Sequence, residues 1–135
     1  VSMNSPLYYT WSGFAFERLC LSHLKQIKKK LGIAGVQTRA CSWRSSSGPQ
    51  GVQIDLLIDR KDETVNVCEM KYTNEEFEIT KEYESKLVNK LEVLAKETGI
   101  KKSLMLTLIT TYGVKANAHS GIVQSEVLMD DLFEQ

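Results

Sequence analysis

The segment GVQIDLLIDRKDETVNVCEMKY, residues 51–72, is the part of this chain that most constrains its fold. Both halves are rich in Val, Ile and Leu, and the short polar sequence RKDE between them is typical of a hairpin turn. We therefore predict two adjacent antiparallel strands. Three charged residues, Asp55, Glu69 and Lys71, interrupt the apolar pattern. Their presence in strands otherwise suited to a core calls for an explanation.

The rest of the chain predicts helices and further strands around this hairpin. Apolar residues recur at helical spacing from a cap at Thr10 or Ser12 to a stop at Gly32, and again from a cap at Thr80 to Gly99. Strands are predicted over residues 36–43, 103–113 and 121–129. The order is helix, three strands, helix and two strands, which predicts an α/β fold with a mixed sheet flanked by helices. Residues 1–10 resemble a linker, and residues 11–135 are predicted to form one domain.

Composition excludes several classes of protein. The chain carries 17 basic and 17 acidic residues, so bulk charge does not favour coating of nucleic acid, although a local basic patch remains open. Three scattered cysteines predict reduced, mostly buried thiols in a cytoplasmic protein rather than disulfides or a zinc site. We find no run of about 18 apolar residues, so no membrane partner is expected. The lysine-rich run at residues 25–30 is interpreted as a solvated helix face.

Strand geometry brings the charged residues of the hairpin together. Alternation places Glu69 and Lys71 on one face of their strand, and Gln53, Asp55 and Leu57 on one face of the other. If the turn is centred near Asp62, facing residues have numbers that sum to about 124. Asp55 then faces Glu69, with Cβ atoms roughly 5 Å apart. The two carboxylates repel each other unless a proton, Lys71 or a metal ion lies between them.

Such an arrangement is suited to hydrolysis assisted by a metal. Carboxylates on adjacent strands suit a hard cation such as Mg²⁺ or Mn²⁺, and Lys71 could orient or deprotonate an attacking water. Glu17 is a third candidate acid, because its helical neighbours include Phe14, Cys20 and Leu21. The alternatives are a cross-strand ion pair for Asp55 and Glu69, and a position at the edge of an amphipathic stripe for Glu17.

The order of elements and these charged residues together resemble the PD-(D/E)XK nuclease superfamily, which has the restriction-endonuclease-like fold. The phrases GFAFERLC, GVQIDLLIDR, NVCEMKY, FEITKEY, LITTYG and DDLF further resemble the carboxy-terminal nuclease-like domain of DEXX-box AAA-type ATPases. The resemblance covers nearly all of the chain from about Trp11. It implies that this chain is a carboxy-terminal fragment of a larger ATPase, whose upstream ATPase domain is a partner in the same chain.

The resemblance also implies an activity and a set of site residues. The activity is hydrolysis of phosphodiester bonds in nucleic acid, with DNA favoured, using Mg²⁺ or Mn²⁺. Asp55, Glu69 and the backbone carbonyl of Met70 would bind the metal, and Lys71 would position the water. Glu17 would complete the acidic cluster.

Some features of the sequence depart from this pattern or leave it open. Gln53 lies two residues before Asp55 and is a possible accessory residue, whereas Ile54 stands where the superfamily pattern has proline. Tyr83 is the candidate tyrosine of the second helix, and its periodic position favours core packing. The chain contains no phosphate-binding loop of the GxxxxGK[ST] type. An alternative function is a catalytically silent module that binds nucleic acid or protein and keeps the nuclease fold.

Overall fold

A computed structural model describes residues 5–46 and 51–135. The composition of residues 45–51, SSSGPQG, predicts a loop, and most of that segment lies outside the described residues. The order of helices and strands agrees with the prediction, except that the first helix is divided in two. The elements are α1 (Pro6–Leu21), α2 (Leu24–Lys30), β1 (Thr38–Arg44), β2 (Gln53–Arg60), β3 (Thr64–Lys71), α3 (Lys81–Thr98), β4 (Ser103–Thr110) and β5 (Ser125–Leu128), with short 3-10 helices at Ser120–Ile122 and Met129–Phe133.

The five strands form one mixed sheet in the order β1-β2-β3-β4-β5. The pairs β1–β2 and β2–β3 are antiparallel, whereas β4 and β5 are added in parallel. Helix α3 connects the parallel strands β3 and β4, as such connections require. The β2–β3 register runs from Leu56↔Cys68 to Asp59↔Val65, and the residue numbers of each pair sum to 124, as predicted. The predicted hairpin is therefore confirmed, and its register holds over Leu56–Asp59, but the predicted pair of Asp55 and Glu69 is not among the paired residues.

Each face of the sheet buries its own apolar cluster. Leu56, Ile58 and Cys68 pack with residues of α1 and α2 on one face, including Phe16 and Ile27. We call this the α1 face. On the other face, Leu57, Val65 and Val67 pack against Leu94 of α3, and we call this the α3 face. The sheet is therefore covered on both sides, which explains why its central strands are almost continuously apolar.

The first helix begins earlier than predicted. Ser5 caps α1, since its Oγ accepts a hydrogen bond from the Tyr8 backbone N–H at 3.1 Å, and Pro6 occupies the first turn. The predicted cap Thr10 instead lies within the helix and donates its hydroxyl to the Pro6 carbonyl at 3.0 Å. Ser12, the other predicted cap, lies within α1 as well. The described part of the predicted linker is thus largely helical.

The predicted first helix is interrupted between Leu21 and Leu24. The Ser22 hydroxyl donates to the Arg18 carbonyl at 2.9 Å, and His23 Nδ1 lies 2.8 Å from the Leu19 carbonyl. Side chains that bond to nearby carbonyls compete with helix continuation, and here they satisfy the carbonyl end of α1.

The second predicted helix, α3, has the predicted ends. Thr80 accepts a hydrogen bond from the Tyr83 N–H at 3.1 Å, and Gly99 adopts the left-handed conformation with φ 67°. Strand β4 ends at Thr110, earlier than predicted, because the Thr110 hydroxyl accepts from the Gly113 N–H in a turn where Gly113 has φ 97°. Among the helices of the described residues, none combines the length and apolarity that crossing a membrane requires.

The cysteine prediction holds for two of the three thiols. Cys20 and Cys68 are buried on the α1 face, whereas Cys41 is exposed on strand β1 at the edge of the sheet. All three are free thiols. An edge strand has a neighbour on one side only, so alternation and apolarity alone do not make its residues buried.

Candidate functional site

Glu69 is a buried acid near the end of β3, with 8% of its surface exposed. Its carboxylate is held from α3. Lys90 Nζ lies 3.0 Å from Oε1 and 3.3 Å from Oε2, and the Tyr83 hydroxyl donates to Oε1 at 3.4 Å. A carboxylate on the α3 face is tolerated there because these donors replace the water it loses on burial.

Lys71 lies two residues along β3 and contacts the same tyrosine. Its Nζ is 4.9 Å from the centroid of the Tyr83 ring, within the range of a cation–π interaction. Burial, with the Glu69 charge and hydrogen bond as lesser causes, raises the pKa of Tyr83. Tyr83 therefore stays a neutral phenol that donates to Glu69, and its ring contacts the Lys71 ammonium.

Asp55 belongs to a short polar chain on β2. Gln53 Nε2 donates to Asp55 Oδ1 at 2.8 Å, and Arg44 Nη2 donates to Gln53 Oε1 at 2.8 Å. Arg44 and Gln53 are register partners on β1 and β2. The amide of Gln53 thus links a positive charge on the edge strand to Asp55, and Gln53 lies beside the candidate site as predicted.

A β-bulge changes the direction of Asp55. The register of β1 and β2 shifts between Cys41↔Leu57 and Trp43↔Ile54, so β2 has one extra residue in this interval. Ile54 consequently packs in the same cluster as Leu57, although regular alternation would place them on opposite faces. The prediction that Gln53, Asp55 and Leu57 share one face is therefore wrong, because it assumed an unbroken strand. Beyond the bulge, Asp55 faces the α1 side.

The sheet opens between β2 and β3 at the candidate site. Paired residues of these two strands end at Leu56↔Cys68, one position before Asp55 and Glu69 would meet. Strand β3 nevertheless stays paired with β4 as far as Lys71↔Thr110, and β2 stays paired with β1 as far as Arg44↔Gln53. Asp55 and Glu69 thus stand on the two sides of a gap at which the strands separate, Asp55 towards α1 and Glu69 towards α3.

Glu17 on α1 lies within electrostatic range of all three charged residues of the hairpin. Burial is the largest cause that raises the pKa of Glu17; the Asp55 carboxylate raises it next, Lys71 lowers it, and Glu69 raises it further. The structure therefore brings Glu17, Asp55, Glu69 and Lys71 around one region. The raised pKa of Glu17 therefore reflects its burial first and the neighbouring carboxylates second.

The donor set has the chemistry of a hard-cation site but not a closed cage. Within residues 5–46 and 51–135, no group of three or more His, Cys, Asp or Glu side chains is arranged to hold a metal ion. Mg²⁺ commonly uses one or two carboxylates and takes its other ligands from water and substrate phosphate, so Asp55 and Glu69 suffice in kind. Both oxygens of Glu69 are, however, engaged by Lys90. These residues fit a divalent cation on two conditions: the cation displaces the Lys90 ammonium, and Asp55 and Glu69, which stand towards opposite faces of the sheet, both reach the gap between β2 and β3.

Two residues of α3 at the site were not identified from the sequence. Tyr83 was assigned to core packing; its ring does pack edge-on against Phe77 at 5.3 Å, but its hydroxyl reaches Glu69. Lys90 carries no prediction from the sequence. The available signal was its position three residues after Leu87 and four before Leu94, on the apolar side of the helix. A lysine on a buried helix face requires an anionic partner.

The lysine-rich run of residues 25–30 interacts with the end of the chain. Lys29 Nζ donates to the Gln135 carbonyl, and Lys30 Nζ lies 3.6 Å from Asp131. Part of this run therefore has an intramolecular role, which agrees with its interpretation as a surface face of α2.

Comparison with known proteins adds information on the fold alone. No protein family and no curated protein matches the chain. One solved structure, a protein of unknown function named AF1548, is similar with a TM-score of 0.52 and 13% sequence identity, over 81% of this chain and 56% of that chain. The chain thus spans little more than half the length of that protein. The similarity supports the mixed α/β architecture.

Proposed function

We propose that this chain is a nuclease-like domain with the restriction-endonuclease-like fold, which hydrolyses phosphodiester bonds of nucleic acid with the help of Mg²⁺ or Mn²⁺. The observation that carries the proposal is that the β2–β3 pairing ends at Leu56↔Cys68, so that Asp55 and the segment Glu69–Lys71 flank the point where the two strands separate. Residues that are distant in sequence, on α1, β2 and β3, act on one carboxyl group beside the gap between β2 and β3. A phosphate and its cation need such a place, where rigid strands present charges to an open space.

Each residue has a distinct proposed role. Asp55 and Glu69, with the Met70 carbonyl between Glu69 and Lys71, would hold the cation, which supplies Lewis-acid polarisation of the phosphate when bound. Lys71 would orient the attacking water and offset negative charge that develops on the phosphate. Glu17 adds acidic charge on the α1 side. Tyr83 would position both residues, since its ring contacts Lys71 and its hydroxyl donates to Glu69.

The proposed partners rest on different kinds of support. For nucleic acid, the support is the charged gap together with Arg44, an exposed cation joined to Asp55 through Gln53. For an ATPase domain upstream in the same chain, it is the sequence phrases alone. We propose DNA as the first substrate to test and the cytoplasm as the location.

A second candidate function, a catalytically silent binding module, is favoured by one specific contact. The Lys90–Glu69 ion pair, at 3.0 Å, already neutralises the acid that would bind the cation. A chain that had lost catalysis would gain from such a pair, because a buried carboxylate without a metal needs a positive partner. In this alternative the domain binds nucleic acid or a protein segment without cleaving it.

Calorimetric titration with Mg²⁺ and Mn²⁺ tests the site. We expect the wild type to bind a divalent cation, and Asp55→Ala and Glu69→Ala to lose that binding. Glu92→Ala, at an exposed position of α3, is the matched control and should bind as the wild type does. A wild type that is indifferent to both metals would contradict the nuclease proposal and leave the binding module.

Cleavage assays then separate the two functions. Supercoiled plasmid, single-stranded DNA and RNA should be incubated with Mn²⁺ and the products resolved on gels. Lys71→Ala is expected to lower the rate by about 100-fold or more, since a positioned acid–base group contributes 10²–10⁴. Lys61→Ala, at the exposed hairpin turn, is the control. Metal-dependent cleavage that Lys71→Ala leaves intact would remove Lys71 from its proposed role.

A further inference from the structure

Helix α1 carries a row of exposed apolar side chains, which we call the outer stripe. It consists of Leu7, Trp11, Phe14 and Leu21, with 68%, 66%, 62% and 43% of their surfaces exposed. The spacing of Leu7, Trp11 and Phe14 by four and three residues aligns them along one side of a helix, and Leu21 follows two turns after Phe14. Arg18, which is also exposed, fills the remaining position of the row.

The outer stripe lies directly opposite the side of α1 that packs on the sheet. Ser12, Phe16 and Cys20 are buried on the sheet side. At about 3.6 residues per turn, Phe16 is half a turn away from the line through Leu7 and Phe14. Helix α1 is therefore apolar on two opposite sides, although a surface helix of a monomer presents a polar outer side. Helices that are apolar all round are normally covered on both sides.

The surface involved is large enough for a symmetric pair of helices. Aromatic side chains carry about 150–250 Å² each, so the outer stripe exposes roughly 500 Å² in one chain. Two copies packed through it would bury roughly 1,000 Å², which is about the lower limit for a specific interface. A patch of this size is comparable with the largest apolar patch of a typical monomer, and such patches are often functional.

The stripe is also complementary to itself about Phe14. In an antiparallel pair of α1 helices with the two-fold axis at Phe14, Leu7 of one copy lies against Leu21 of the other, because both are seven residues from the axis. Within one copy, Trp11 lies three residues before Phe14 and Arg18 lies four residues after it, so Trp11 of one copy comes close to Arg18 of the other. Each Arg18 guanidinium therefore meets the Trp11 ring of the other copy, which is a favourable cation–π arrangement formed twice.

We propose that this chain forms a homodimer in which the outer stripes of two α1 helices pack antiparallel about Phe14. The occupant of the stripe is a second copy of the chain, and Trp11–Arg18 contacts across the two-fold axis set the register. The proposal is independent of the proposed catalysis, since none of the stripe residues belongs to the candidate site.

Sedimentation equilibrium over about 1–100 μM tests the proposal on the 135-residue chain. We expect a monomer–dimer equilibrium whose dissociation constant rises by about 30-fold or more in Phe14→Glu, because hot-spot residues contribute at least about 2 kcal/mol and Phe14 occurs twice at the axis. Tyr112→Glu is the control, since Tyr112 is also exposed but belongs to the segment after β4 and not to α1. Circular dichroism of both variants checks folding, and the exposure of Phe14 predicts that it is retained.

A second variant pair tests the register. In a Cys41→Ser background, Phe14→Cys should form a disulfide-linked dimer under mild oxidation, whereas Val88→Cys, on the outside of α3, should not. A monomer at 100 μM would overturn the proposal, as would a dimer that Phe14→Glu leaves unchanged. Crosslinking of both cysteine variants to the same extent would overturn packing through the outer stripe.

Discussion

Replacing Lys90 by Met tests whether the ammonium group and a divalent cation compete for Glu69. The substitution keeps an unbranched side chain of similar helix propensity on α3, and it removes the positive charge that lies 3.0 Å and 3.3 Å from the two carboxylate oxygens. Without metal, the Glu69 carboxylate keeps only the Tyr83 hydroxyl as a side-chain donor from α3. With metal, the cation no longer has to displace Lys90.

The expected magnitude follows from the burial of the pair. The exposed fractions of the side chains are 28% for Lys90 and 9% for Glu69, so solvent screens the interaction only partly. Hydrogen bonds to charged groups contribute about 1.5–3 kcal/mol net, and the free energy of unfolding without metal should fall by about that amount. The same free energy no longer opposes metal binding, so the dissociation constant should fall by about 10- to 100-fold.

Two measurements check this expectation. Calorimetry gives the Mn²⁺ dissociation constant, and thermal denaturation with EDTA or Mn²⁺ gives the stability in both states. Lys90→Met should be less stable than the wild type in EDTA and should recover more stability on adding metal, because a ligand that binds the folded state stabilises it. Lys86→Met, at an exposed position one turn earlier on α3, is the matched control. It should change neither quantity.

Two results would refute the reasoning. If Lys90→Met binds metal as weakly as the wild type while Glu69→Ala abolishes binding, Lys90 does not compete for the site. If Lys90→Met loses stability and still binds no metal, the ion pair is a structural element of a silent module.

The remaining predictions concern Glu17, the α3 cap and the thiols. Because the folded state raises the pKa of Glu17 above its ordinary 4.5, charged Glu17 destabilises the fold at neutral pH. Glu17→Gln should therefore be more stable than the wild type at pH 7 in EDTA. The difference in free energy of unfolding should shrink as pH falls through the folded pKa of Glu17 and vanish below pH 4.5. A difference that persists at pH 3 would contradict this. Thr80→Ala should lower the free energy of unfolding by about 1 kcal/mol in urea denaturation, because the cap to the Tyr83 N–H is lost. A thiol reagent should label Cys41 alone in the native protein, since Cys20 and Cys68 are buried and burial raises the pKa of Cys20 to about 12. Labelling of all three thiols at equal rates would contradict their burial.

The hairpin and α3 were predictable because their signals are local. Alternation of apolar residues and the composition of RKDE specify two strands and their turn, and the turn sets a register that sums to 124. Thr80 and Gly99 mark the ends of α3 through bonds and dihedral angles that lie within one turn of the helix. The start of α1 had an equally local signal, Ser5 followed by Pro6, which the linker interpretation overlooked.

The arrangement of the candidate site depended on contacts between distant segments. The bulge opposite β1 redirects Asp55, and nothing within residues 51–72 shows that an extra residue is accommodated there. Lys90 reaches Glu69 only because α3 packs across the sheet at one particular rotation, which is set by Leu87 and Leu94.

By itself, the sequence determined the order of the elements, the hairpin register and the presence of acids and a lysine near one another, since each depends on neighbours in the chain. The tertiary structure decided that three charged residues of two strands act on the pKa of Glu17 and that the pairing of β2 and β3 ends at the candidate site. It also decided that Lys90 forms an ion pair with Glu69. The physical reason is that burial and Coulomb interactions depend on distance in space. The cation that pairs with a buried carboxylate is therefore determined by how the chain packs.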